Sequence, residues 1–104
     1  MIDLADVYRL EKLVLALPPL LTWGARTQNI EISVSDSNQK YSSSTKFSVT
    51  VPATDYLFDP ASGNRVILDL DRVACRYLKV IINSNTANGG YGAQLSEISA
   101  YGVK

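Results

Sequence analysis

The chain has 104 residues and a mass of 11.4 kDa, the size of one domain, and folding would hide about 65% of the unfolded surface, enough for a single core. Ten Lys and Arg balance ten Asp and Glu, so the basic footprint of a nucleic-acid binder is absent. Histidine is absent too, which excludes His-based nucleophile relays and the commonest transition-metal ligand, while 26 Ser, Thr, Asn and Gln beside six tyrosines suit neutral hydrogen-bonding ligands.

In chain order, the first apolar segment is ambiguous. Val7, Leu10, Val14 and Leu17 fall at helical spacing, with Asp6 as a possible cap and Pro18 as a stop, whereas Leu13, Leu15 and Leu17 fit one face of a strand equally well. Residues 28–36 alternate cleanly, with Ile30, Ile32 and Val34 on one face and Glu31, Ser33 and Ser35 on the other. Residues 45–51 repeat that period and predict Phe47, Val49 and Val51 inside. The serine-rich stretch 37–44 between them reads as a turn or hairpin loop. Residues 59–64 predict a second turn, after which Val66, Leu68 and Leu70 alternate with Ile67 and Asp69. Residues 76–83 place Leu78, Val80 and Ile82 on one face. An Asn- and Gly-rich loop follows, and residues 95–103 form a last β-rich segment. Short strands at this spacing predict an all-β chain, an antiparallel β-sandwich, in one unit spanning residues 1–104.

The single cysteine, Cys75, has no intrachain partner, so a disulfide-stapled scaffold is excluded, and with no histidine to activate it the thiol is expected to be inert. The longest apolar run, residues 13–21, is interrupted by Pro18 and Pro19 and is too short for a membrane span. The acidic opening lacks the features of a secretory signal, which, for an exported protein, would lie outside these residues. The ten carboxylates form no recognisable acid/base pair, and there is no phosphate loop, nucleophile elbow or Cys-x-x-Cys. A non-enzyme is expected.

Arg76-Tyr77-Leu78-Lys79-Val80, Asn83-Ser84-Asn85-Thr86, Ala93-Gln94-Leu95-Ser96-Glu97-Ile98 and Tyr101-Gly102 together resemble the closing segment of discoidin-like domains, also called coagulation factor V/VIII type C domains, whose bacterial branch includes family 32 carbohydrate-binding modules. Ile2-Asp3-Leu4 is similar to that family's Asp-Leu-Gly strand, with Ala5 where glycine is usual. The resemblance is strongest over residues 76–102 and loosest over 37–71. It implies a jelly-roll sandwich of the galactose-binding type, and it makes residues 10–17 a strand leading into a binding loop. Members usually begin with strands ahead of the Asp-Leu segment, so roughly two strands fewer than the family norm are expected here, either because the parent chain is longer or because a partner supplies them. A bare sheet edge would then invite self-association.

The resemblance further implies a shallow ligand site among loops at one end of the sandwich. There an aromatic ring covers a sugar's C–H face and planar donors hold its hydroxyls. Trp23 and Arg26 in the first loop, and Tyr91 with Asn85 and Asn88 in the second, are the candidates, and both loops should emerge at the same end. Each has a plainer role: Trp23 as core, Arg26 as a structural arginine, Asn85 and Asn88 as turn formers, Tyr91 as part of a tight glycine turn. Glu97 matches a ligand of the structural calcium found in many relatives. The other ligands come from the stretch before the Asp-Leu segment, so neither calcium nor any other cofactor is expected. The expected function is thus a non-catalytic module targeting an appended glycoside hydrolase or surface protein to a neutral glycan outside a bacterial cell. The alternative is a protein-interaction or scaffold module without sugar binding. Anionic-membrane binding of the coagulation-factor kind is the weakest option, since only Leu20, Leu21 and Trp23 resemble an apolar spike.

Overall fold

The computed structural model describes residues 1–17, 25–85 and 97–104. Five strands account for about three-quarters of them: β1 (Ile2–Ala16), β2 (Arg26–Ser35), β3 (Ser48–Phe58), β4 (Arg65–Asn85) and β5 (Glu97–Val103). The expected all-β class is correct, and the helix-or-strand ambiguity at residues 7–17 resolves to strand. All pairings are antiparallel, in one sheet of order β3-β2-β4-β1-β5.

That single sheet is sandwich-like because β4 serves both of its halves. Twenty-one residues at about 3.3 Å each would run to roughly 70 Å, yet the longest dimension of the molecule is 43 Å. The strand therefore bends, and it does so where Asp71 and Arg72 adopt left-handed backbone (φ 52 and 60). Before the bend β4 pairs with β1 alone (Leu13↔Leu68, Leu15↔Val66), and beyond it β1 continues on one side (Tyr8↔Cys75, Asp3↔Tyr77) while β2 joins on the other (Ile32↔Val80, Val34↔Leu78). The sequence reads these as two separate strands. Its alternation is interrupted at Asp71 and Arg72 by a bulge, which re-aims the chain without ending the pairing.

The core follows the alternation. Leu13 and Leu15 of β1 with Leu17 just beyond its end, Ile30, Ile32 and Val34 of β2, Phe58 of β3, and Leu68, Leu70 and Leu78 of β4 form one buried cluster. Leu10 joins it despite its opposite parity, because a register shift between Leu10 and Lys12 leaves Glu11 as an extra residue against β5 and turns both Leu10 and Leu13 inward. The same device overturns one expectation. Phe47, Val49 and Val51 do not share an inner face, since the pairing steps from Ile32↔Val51 to Ser33↔Val49 and leaves Thr50 as an extra residue. Val51 faces the core, and Val49 is 59% exposed. β3 also continues through Pro52 to Phe58, tolerating proline because it is an edge strand with a second register shift there.

Residues 36–47 cover the outer face of the β2–β4 pair. The Tyr77 hydroxyl donates to the Gln39 carbonyl at 2.7 Å and the Arg76 guanidinium to the Asn38 carbonyl at 2.8 Å, while Tyr41 packs on Tyr77 with ring centroids 5.7 Å apart. The Lys79 ammonium sits 4.0 Å from the centroid of the Phe47 ring. This cover explains why Ser33, Ser35 and Tyr77, on the face expected to be polar and wet, are buried.

Candidate functional site

The sheet has two ends of different character. At one, β1 finishes and β5 starts side by side (Ala16↔Glu97), and β4 finishes beside the start of β2 (Gln28↔Asn85). Both loops expected to carry the ligand contacts therefore have their feet at this end: Leu17 and Ala25 for the first, Asn85 and Glu97 for the second.

A turn crosses the same end. Asp59 Oδ1 accepts from the Ala61 N–H at 3.0 Å and caps a 3-10 turn at Pro60–Ser62, which Gly63 ends with φ 90 and Asn64 follows at φ 56. Leu17 N–H donates to the Asn64 carbonyl at 2.9 Å, fastening the end of β1 to this turn. The turn is thus a fixed floor between the loop feet.

Of the residues named from sequence, Trp23, Asn88 and Tyr91 lie outside the described residues. Asn85 is the last residue of β4, paired with Gln28. Arg26 opens β2 opposite Phe58 and is only 7% exposed. That burial matches its structural role better than a guanidinium held out to hydroxyls. Glu97 is exposed at the head of β5, where its Oε1 accepts from the Ser99 hydroxyl at 3.4 Å. Among the described residues no three Cys, Asp or Glu side chains gather in a group able to hold a metal ion.

The structure adds one polar group that the sequence reading overlooked. Asn83 Nδ2 donates to Asn29 Oδ1 at 2.9 Å, and Asn29 Nδ2 donates to Asp55 Oδ1 at 2.9 Å. Three strands thus contribute an exposed amide–amide–carboxylate row a few residues from the loop feet. Its only sequence signal was the outward parity of Asn29 in β2. Asn83 joins through a register shift between Asn29 and Ile30, which no periodicity reveals.

The opposite end is held by charge. Four β1 residues, Leu4 to Val7, stand opposite the single β4 residue Arg76, since pairing jumps from Asp3↔Tyr77 to Tyr8↔Cys75. Asp3 Oδ1 accepts from the Ala5 N–H at 2.8 Å and from Arg76 Nε at 3.2 Å, and Asp6 Oδ2 pairs with Lys104 Nζ at 2.7 Å. The Ala5 N–H and then Arg76 hold the Asp3 carboxyl below the usual carboxylate range, and Lys104 with the Val7 N–H does the same for Asp6. A hollow of about 220 Å3 lies nearby, lined by Leu4, Tyr8, Leu10, Ala100 and Gly102. Gly102 is needed there, because a Cβ would stand 2.2 Å from the Arg9 carbonyl oxygen. Cys75 is buried, its thiol donating to the Tyr77 carbonyl at 3.3 Å, and burial pushes its pKa up to about 11.

No family model matches the chain, and neither does any curated protein or solved structure. Among the described residues no helix is long and apolar enough to cross a membrane.

Proposed function

We propose that this chain is a non-catalytic, discoidin-like carbohydrate-binding module that holds a neutral glycan at the loop end of its sheet. The observation that carries the reading is the convergence of the loop feet, Leu17, Ala25, Asn85 and Glu97, on one end braced by the 59–64 turn. A rigid scaffold presenting two loops together is the usual setting for ligand contacts. The loops bring Trp23 and Tyr91 as rings for a sugar's apolar face, and the adjacent Asn83–Asn29–Asp55 row offers donors and acceptors of the kind a hydroxyl rim requires. Arg26 supports the base of the first loop from within. A second point of support is Ala5, whose left-handed backbone (φ 69) is the conformation glycine serves best, at the position where the family usually has glycine. In this reading the module works outside a bacterial cell, appended to a glycoside hydrolase or surface protein.

Affinity electrophoresis through neutral polysaccharides, together with a glycan array, tests it. The intact chain should be retarded by at least one glycan, and Trp23→Ala or Tyr91→Ala should reduce retention roughly tenfold while leaving the fold unchanged. Retention unchanged in both variants, or no glycan bound by the intact chain, overturns the sugar reading. The second result would favour a scaffold module instead, for which the exposed Val49 and Leu57 of edge strand β3 are the supporting observation.

A further inference from the structure

We propose that the outer face formed by β5, β1 and the first half of β4 is a self-association surface, and that its occupant is a second copy of this chain packed face to face with its strands antiparallel to the first. The register lays the outward side chains out in three rows: Tyr101, Lys12 and Asp69, then Ser99, Val14 and Ile67, then Glu97, Ala16 and Arg65. The middle row is uncharged, with Ile67 59% exposed beside Val14, and the charges sit in the outer rows.

Charge complementarity selects both the occupant and its orientation. A two-fold axis relating two such faces can run along the strands, across them, or along either diagonal of the grid. An axis along the strands lays Lys12 on Lys12. One diagonal sets Asp69 against Glu97, and the other sets Asp69 against itself. Only the axis across the strands, through the middle row, brings no like charges together. It places Asp69 against the copy's Arg65 at two symmetric positions and Ile67 on Ile67, and it sets the Tyr101 hydroxyl against Glu97. It also lays Lys12, whose ammonium already sits 5.0 Å from the Tyr101 ring centroid, across Ala16. Packed sheets lie about 10 Å apart with strands inclined by about 30°, a gap that Arg65 and Asp69 can span. Three short strands offer less than the standard interface area, so the dimer is a weak, reversible one. Its symmetry sends the two loop ends in opposite directions.

Sedimentation velocity on the whole chain, from micromolar to millimolar concentration, is the test. A monomer–dimer equilibrium is expected. Arg65→Asp sets carboxylate against carboxylate twice and should weaken dimerisation about tenfold or more. Adding Asp69→Asn should recover most of that loss, because asparagine keeps the acceptor for the Asp71 N–H (2.9 Å) while removing the repulsion. Ile67→Arg should abolish the dimer independently, with folding of each variant checked by circular dichroism. A chain that stays monomeric throughout the range overturns the proposal. So does a dimer indifferent to both Arg65→Asp and Ile67→Arg, which would place the contact elsewhere.

Discussion

Ala5 occupies left-handed backbone that costs a side chain about 1–2 kcal/mol, and its N–H is held there by Asp3 Oδ1 at 2.8 Å. Ala5→Gly removes that strain at the cost of extra freedom in the unfolded chain. A net gain of about 0.5–1 kcal/mol is expected, read as a higher denaturation midpoint at unchanged m-value. Cys75 behaves oppositely, being well placed and silent. With its pKa pushed up to about 11 against 9.0 for a free thiol, the thiolate fraction at pH 8 falls about a hundredfold, and burial blocks access besides. Thiol-reactive dyes should label the native chain at least that much more slowly than the denatured one. The raised folded-state pKa also means that its contribution to stability is intact below pH 9 and declines as pH rises towards 11.

At the scale of elements, the long bulge in β1 is closed by Asp3 with Arg76 and by Asp6 with Lys104. Both carboxyls titrate below their ordinary value of 3.8, so the unfolded chain takes up their protons first. The stabilisation is complete above about pH 4 and is lost as pH falls through the lowered folded-state values. Acid unfolding followed by fluorescence should therefore show Asp3→Asn and Asp6→Asn losing part of their dependence on pH below 4, with wild-type behaviour overturning the clamp. Period-2 patterning made the inward faces of β1 and β2 legible from sequence, and Asp59, Pro60 and Gly63 made the turn legible. Val49 was misplaced because a one-residue bulge reverses parity without any local signature. Ser33 and Ser35 read as wet because most of their cover, residues 36–44, belongs to a segment with no periodicity. The candidate site was legible only as residue types in two loops. Its shared end depends on pairings as distant in sequence as Ala16 with Glu97, and the Asn83–Asn29–Asp55 row on a contact spanning 54 positions.

For the molecule as a whole, the alternation of apolar residues gave the class, but neither the strand order nor the continuity of β4 follows from it, because both rest on long-range pairing. The order β3-β2-β4-β1-β5 has a consequence for how the chain comes to be folded. β2 and β3 are neighbours in both sequence and space, so their hairpin can close as soon as both have been synthesised. β1 has no such neighbour: its two partners are β4 and β5, which are made only after β2 and β3. Leu10, Leu13, Leu15 and Leu17 must therefore wait, solvated and prone to adhere elsewhere, until β4 and β5 have been made. Slow closure, with aggregation through β1 as its characteristic failure, is built into the arrangement: a strand made ahead of the β2–β3 hairpin is housed after it.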